Sequence, residues 1–407
     1  MSNPSRVRVV GPLVPYAAGF RAELEGQGYR RNAVGNQLQL MAHVSRWLAS
    51  EGLGVGDLTA ERVEEFLAVR RAAGYRLWCS LKGVAPLLAH LDRAGVLPVS
   101  APSAAPTPAE ELIERYRVYL VEERGLAAGT VTSYVDVAGL FLATRPPVPG
   151  LGLGTLTAAE VIAFVVKQCR QRSDGSAKYV VTGLRALLRF CFLEGLITSP
   201  LAEAVPTVAH WRLAGLPRGL DAGVVAALLA SCDRRTAFGR RDFAVLTLLV
   251  RLGLRGGEVA RLRLEDIDWR GGELVVRGKG PRHERLPLPT DVGEAIAGWL
   301  RRGRPRCAAR EVFTRVRAPH QALSTPGVSA IVIAACKRAG VPPVAAHRLR
   351  HTAACAMLQA GAGLAEIGQV LRHRSDLTTA IYAKVDRASL RALAKPWPAH
   401  DAQAGLR

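Results

Sequence analysis

The chain has 407 residues, 49% of them hydrophobic, and carries a net charge of +21 with a pI near 10.5. That length suffices for two or three domains with real cores, and the charge calls for a polyanionic partner, nucleic acid first and an anionic membrane surface second. Seven scattered cysteines with no Cys-x-x-Cys argue against a disulfide framework and a zinc ribbon, and for a reducing cytosol.

The N-terminus, Met-Ser-Asn-Pro-Ser-Arg, lacks the apolar core of a signal peptide, and no apolar run approaches the ~20 residues of a membrane span. A cytoplasmic protein with no membrane partner is expected. Two connectors divide the chain. One runs from Pro98 to Pro108 and is rich in Pro, Ala and Ser; the other covers 205–220 with Pro206, Gly215, Pro217 and Gly219. The expected domains are therefore 1–97, 109–204 and 221–407.

The first two domains read as a duplicated helical unit. Leu58-Thr59-Ala60-Glu61-Arg62-Val63-Glu64-Glu65-Phe66 matches Leu156-Thr157-Ala158-Ala159-Glu160-Val161-Ile162-Ala163-Phe164. Thr59 and Thr157 are placed as helix caps, with acidic residues in the turn that follows. Gly28 to Val34 aligns with Gly125 to Val131, Leu87-Leu88 with Leu187-Leu188, and Gly95-Val96 with Gly195-Leu196. Each unit should hold four or five short amphipathic helices closed by a glycine.

The third domain opens with a helix capped by Asp221 and a second from Arg241 to Leu252. Glu273 to Arg277 and Glu284 to Leu288 read as a hairpin turning at Gly278-Lys279-Gly280-Pro281. After Pro289 the pattern is helical to about Leu393. Lys and Arg outnumber Asp and Glu by 31 to 16 from residue 221 onward, so this half should face the polyanion.

The same half contains a single tyrosine, Tyr382; the other seven lie before residue 180. A phenol attacks a phosphodiester only if the phosphate's charge is neutralised, and arginine and histidine are the residue types for that. Arg255 follows an apolar helix, between glycines that let a phosphate approach the backbone, with Glu258 placed to hold its guanidinium. His347 and Arg350, three apart, share a face if they begin a helix. His373 precedes Tyr382 by nine residues, and Leu377 to Val385 reads as a helix bringing Tyr382 back to the cluster. Arginine outnumbers lysine 48 to 7, yet the hairpin tip keeps Lys279, a group able to release a proton when nearby cations depress its pKa. Other readings of these residues are a zinc site on His347, His351 and His373, a solvated basic helix face, and a turn lysine without a role.

In their order, Leu254-Arg255-Gly-Gly-Glu258, Gly278-Lys279-Gly280, His347-Arg-Leu-Arg350-His351, Leu371-Arg-His373 and Tyr382 resemble the tyrosine recombinase (phage integrase) family. The resemblance spans residues ~109–395. It implies a mainly α fold with a small β-hairpin or sheet: helical N-terminal DNA-binding domains and a mixed α+β catalytic domain. It places the catalytic set on Arg255, Lys279, His347, Arg350, His373 and Tyr382. Tyr382 becomes the nucleophile of a 3′-phosphotyrosyl intermediate, Arg255 and Arg350 clamp the phosphate with help from His373, Lys279 protonates the leaving 5′-oxygen, and His347 assists proton transfer at the tyrosine.

Because the covalent link conserves the phosphodiester's energy, the resemblance implies no cofactor and no metal. The implied partners are double-stranded DNA and a tetramer on two sites, with other recombinases or accessory DNA-bending proteins besides. Residues 388–407 are expected to dock on a neighbouring protomer. The extra N-terminal unit, together with the Lys395-Pro396-Trp397-Pro398 tail, resembles recombinases of bacterial mobile elements. Two departures stand out: the family more often has Thr-Gly-Leu-Arg and Leu-Gly-His where this chain has Leu252-Gly253-Leu254-Arg255 and Leu371-Arg372-His373. A type IB topoisomerase and a non-catalytic DNA-binding regulator are the competing functions.

Overall fold

A computed structural model describes residues 7–98, 106–146, 149–208, 219–278, 283–373 and 376–385. They form two compact units, residues 99–214 and residues 1–98 together with 215–407. The described parts of the three segments expected from sequence each have a separate apolar core.

Residues 7–98 hold α1 (Ala17–Gly26), α2 (Arg31–Ser50), α3 (Ala60–Ala72) and α4 (Leu81–Arg93). Within the same compact unit, the His320 backbone N–H donates to the Gln27 carbonyl at 3.2 Å. Residues 106–208 hold α5 (Pro108–Val118), α6 (Ala128–Leu142), α7 (Ala158–Arg170) and α8 (Asp174–Leu193). The two sets share the order of their four α-helices, and a short 3₁₀ segment precedes α3 and α7 alike, while a π-helical turn (Tyr119–Glu123) follows α5 only. Thr59 Oγ1 accepts the Arg62 N–H and Thr157 Oγ1 accepts the Glu160 N–H, both at 3.3 Å. Glu160 also reaches back to the Thr157 N–H at 2.9 Å, completing a reciprocal cap. Such a cap contributes about 1 kcal/mol. Val63 and Phe66 are buried in one unit, as are Val161 and Phe164 in the other. Gly95 (φ 67°) and Gly195 (φ 68°) close the final helix of each.

The third segment contains α9 (Ala222–Ala230), α10 (Ala237–Arg251), α11 (Gly256–Arg261), β1 (Ile267–Asp268), β2 (Glu273–Arg277) and β3 (His283–Pro287). α12 (Thr290–Arg302), α13 (Thr325–Arg338), α14 (Ala346–Gln359), α15 (Leu364–Val370) and α16 (Asp376–Thr379) follow, then a 3₁₀ segment, Ala380–Val385. The strands form one antiparallel sheet in the order β1-β2-β3, with Val275 opposite Arg285. α10 packs against α12, α13 and α14, and its Ala244, Val245, Leu246, Leu248 and Leu249 are all buried. A helix buried this fully is apolar on most sides, and from Phe243 to Val250 the sequence of α10 is, Thr247 apart.

Several local expectations change. The hairpin gains a third strand, because Ile267 and Asp268 pair with Leu274 and Glu273. α10 begins at Ala237 rather than Arg241, capped by Thr236, which accepts the Gly239 N–H at 3.0 Å. Asp221 occupies the N-cap position of α9 without a side-chain hydrogen bond. The helical pattern after Pro289 is broken between α12 and α13, where Arg263 bridges to Glu311 and Thr314 to Ala322. The expected helix from Leu377 to Val385 is one α-turn, α16, tightening into the 3₁₀ segment. Lys279 and residues 388–407 lie outside the described residues. Among the described residues, no helix is long and apolar enough to cross a membrane.

Candidate active site

Arg255 stands at the N-cap of α11, immediately after the turn that ends α10. Its backbone N–H donates to Glu258 Oε2 at 2.8 Å and its Nη1 to Glu258 Oε1 at 2.7 Å. Nη2 reaches the Arg372 carbonyl at 3.4 Å. The carboxylate side chain is 3% exposed but the Arg255 side chain 44%, so the guanidinium keeps one side open. Burial pushes the Glu258 carboxyl up, but the charge of Arg372 and the hydrogen bonds and charge of Arg255 outweigh it and hold the group below the usual carboxylate range.

Arg350, on the first turns of α14, is 1% exposed. It donates Nη1 to the Gly253 carbonyl at 2.6 Å and Nη2 to the Leu371 carbonyl, joining the turn after α10 to the end of α15. Gly253 has φ 57°, and a Cβ there would meet Leu371 Cδ2 at 2.5 Å. Only glycine fits that turn. Burial, then the charges of Arg255 and Arg372, press the Arg350 guanidinium down to about 10. Three guanidinium groups thus share this site with one buried carboxylate, leaving an excess of positive charge suited to an anion.

His347 and His351 are one turn apart on α14, with ring centroids 4.5 Å apart in an edge-on arrangement. Tyr382 is 2% exposed and packs with Ala354, Ile367 and Leu371. Its hydroxyl is hydrogen-bonded to His351 Nδ1 at 2.8 Å. Burial, then His347 and the arginines Arg348 and Arg350, push the His351 ring down to about 4, so it is neutral near pH 7. With the ring proton on Nε2, the phenol is the donor. Burial pushes the Tyr382 phenol up to about 12, with Arg350 opposing.

His373 Nδ1 is hydrogen-bonded to Thr379 Oγ1 at 2.7 Å, and its ring lies parallel to that of Tyr382 at 6.4 Å. Burial, then Arg350, Arg255 and Arg372, push it down to about 4. His347 is also held below its ordinary value, by burial first and then by Arg350 and Arg255.

Arg255, His347, Arg350, His373 and Tyr382 are therefore brought together, whereas Lys279 falls outside the described residues. The ring on the Tyr382 hydroxyl is His351, with His347 one ring further back. Three residues absent from the sequence-derived set also sit in the cluster: His351, Thr379 and Arg372. The spacing of His347 and His351 was visible in sequence, but not which ring would meet the phenol. Arg372 adopts φ 56° with its side chain buried. A left-handed arginine costs roughly 1–2 kcal/mol. Its hydrogen bond to Glu258, of a charge-assisted kind worth about 1.5–3 kcal/mol, offsets that. Among the described residues, no group of three or more His, Cys, Asp or Glu side chains is placed to hold a metal ion.

Residues 218–389 match the model of the Phage integrase family. A protein of Sinorhizobium fredii named as an integrase/recombinase, y4rA, is 41% identical over 392 residues, covering 95% of each chain. The tyrosine recombinase XerD of Listeria monocytogenes is 28% identical over 288 residues, 69% of this chain and 96% of its own. In fold, the chain is similar to a lambda integrase tetramer bound to a Holliday junction, with a TM-score of 0.53 and 19% identity over 81% of this chain and 88% of that one. The class is thereby defined as a tyrosine-type site-specific recombinase. The chain belongs to the phage integrase family.

Proposed function

We propose that this recombinase cuts and rejoins duplex DNA at defined sites through Tyr382, in the service of a mobile genetic element and in the cytoplasm. The observation that carries the reading is the Tyr382 hydroxyl held 2.8 Å from a neutral imidazole, in a site with more guanidinium than carboxylate charge. Arg255 and Arg350 bind the non-bridging oxygens of the scissile phosphate and stabilise the charge that builds as the fifth bond forms. His373 donates from Nε2, since its Nδ1 is occupied by Thr379. Tyr382 Oη bonds to phosphorus while its proton passes to His351 Nδ1. The bond from phosphorus to the 5′-oxygen breaks, and Lys279 gives that oxygen its proton. His347 backs His351 rather than meeting the phenol. The phosphotyrosine keeps the energy of the broken phosphodiester, so rejoining requires neither ATP nor metal.

The lambda integrase neighbour is a tetramer on a Holliday junction, and four protomers on two duplexes are the assembly proposed here. Other recombinases or DNA-bending proteins join as the element requires. Residues 1–97 are read as a duplicate of the helical unit 109–204. The shared order of the four α-helices, the paired caps Thr59 and Thr157, and the left-handed Gly95 and Gly195 support this. Both units then lie along DNA. A footprint no longer than one helical unit and the catalytic segment cover would contradict a DNA-binding role for residues 1–97.

The test of the chemistry is a nicked suicide duplex carrying the cognate site. Wild-type protein is expected to give an adduct resistant to SDS, and Tyr382→Phe none. An adduct that persists in Tyr382→Phe removes the assignment.

A further inference from the structure

Where the family more often has Leu-Gly-His, this chain has Leu371-Arg372-His373, and Arg372 holds φ 56°. Glycine takes such a backbone without strain, and side chains seldom do. The Arg372 guanidinium is not on the surface: the side chain is 4% exposed. Nη1 donates to the Val370 carbonyl at 2.8 Å and Nη2 to Glu258 Oε2 at 2.8 Å, while Nε is buried and has no hydrogen-bond partner among the described residues.

Glu258 is the shared element. Its Oε1 holds Arg255 Nη1, and its Oε2 is taken by the Arg255 backbone N–H and by Arg372. A buried carboxylate facing one arginine tends to pair with it through both oxygens, which closes that guanidinium to other anions. Here the second oxygen is occupied, so Glu258 holds the side chain of Arg255 through one nitrogen only. The Arg372 carbonyl accepts from Arg255 Nη2 at 3.4 Å, a second hold on the guanidinium. Arg255 is thereby oriented but left 44% exposed, and it shares the one carboxylate charge with Arg372.

We propose that Arg372 is a positioning residue for the cleavage reaction, acting through Glu258 to hold Arg255 with a free edge toward the scissile phosphate. This rests on the reading of Arg255 as a phosphate ligand given above.

The experiment uses the full-length protein on the nicked suicide duplex and measures the single-turnover rate of adduct formation at saturating DNA alongside DNA affinity. Arg372→Gly fits the left-handed backbone and removes the guanidinium. It is expected to lower the rate about tenfold while changing Kd less than about twofold, a loss confined to the transition state. Arg372→Lys, which keeps a charge against Glu258, should recover at least half of the loss on a logarithmic scale. In a Glu258→Gln background, Arg372→Gly should have little further effect, because the two act as one unit. A merely structural role would leave the losses additive. Wild-type rates in Arg372→Gly, or additive losses in the double variant, overturn the proposal. If Tyr382→Phe still forms the adduct, the reading of the site itself fails, and the role of Arg372 falls with it.

Discussion

The helical unit 106–208 and the region around Arg350 differ in how much charge they bury. In the helical unit, Phe141 and Phe164 meet edge to face at 5.1 Å in an apolar core, and the ion pair Arg115–Glu194 lies on the surface. Around α14, Glu258, Arg350, Arg372 and Thr379 are all buried: Glu258 pairs with Arg372, Arg350 holds the Gly253 and Leu371 carbonyls, and Thr379 is bonded to His373. Burying charge costs more than burying hydrocarbon gains, so such a cluster is a poor way to stabilise a fold. It is a good way to fix the direction of a few N–H groups. The contrast teaches that the helical unit is organised for stability and the site for orientation.

Three perturbations sharpen that contrast. Phe141→Ala in the helical unit should lose about 3–5 kcal/mol of stability, read by urea denaturation of the full chain. A loss below about 1 kcal/mol would mean that this core carries less of the fold than its packing indicates. Arg350→Ala should act mainly on chemistry, lowering the rate of adduct formation about 10²–10³-fold, as removal of one oxyanion donor does. Its stability cost is tempered because the excised cation is already pressed down to about 10 by burial and its arginine neighbours. Cleavage kinetics at saturating DNA check this, and a rate within about threefold of wild type would break the comparison.

The smallest effect concerns pH. His351 and His373 sit near 4 in the fold, below the ordinary 6.5. Their neutral forms are favoured in the folded state, so the stability they contribute is complete above pH 6.5. It is lost progressively as pH falls from there through 4. Melting temperature should decline over that window, and His351→Gln should decline less steeply. Equal slopes for the two proteins would show that His351 is not the half-buried neutral base described.

What could be read from the sequence follows the range of each interaction. The caps Thr59 and Thr157, the strands on either side of Gly278 and the apolar run of α10 are local, each fixed by residues within a few positions. β1 escaped notice because two residues carry no periodicity; pairing with β2 is what makes them a strand. The residue types of the site and their order were visible, as was the hold of Glu258 on Arg255. The contact of His351 with Tyr382 spans 31 residues and depends on where the 3₁₀ segment Ala380–Val385 returns to α14. The burial of Arg372 likewise depends on Glu258, 114 residues earlier. Neither arrangement has a local signature.

The two carbonyls gripped by Arg350, those of Gly253 and Leu371, each lie at a left-handed step of the backbone, at Gly253 itself and at Arg372. Position 253 has no room, since a single methyl group there would strike Leu371. Position 372 has room for a whole guanidinium. Under random mutation these neighbours in space have different futures. A side chain at 253 must displace Leu371 in a left-handed backbone, whereas 372 can exchange arginine for glycine without strain. Variation among descendants of this chain should therefore be concentrated at 372, where altering the side chain retunes the grip on Arg255 while the turn at Gly253 stays as it is.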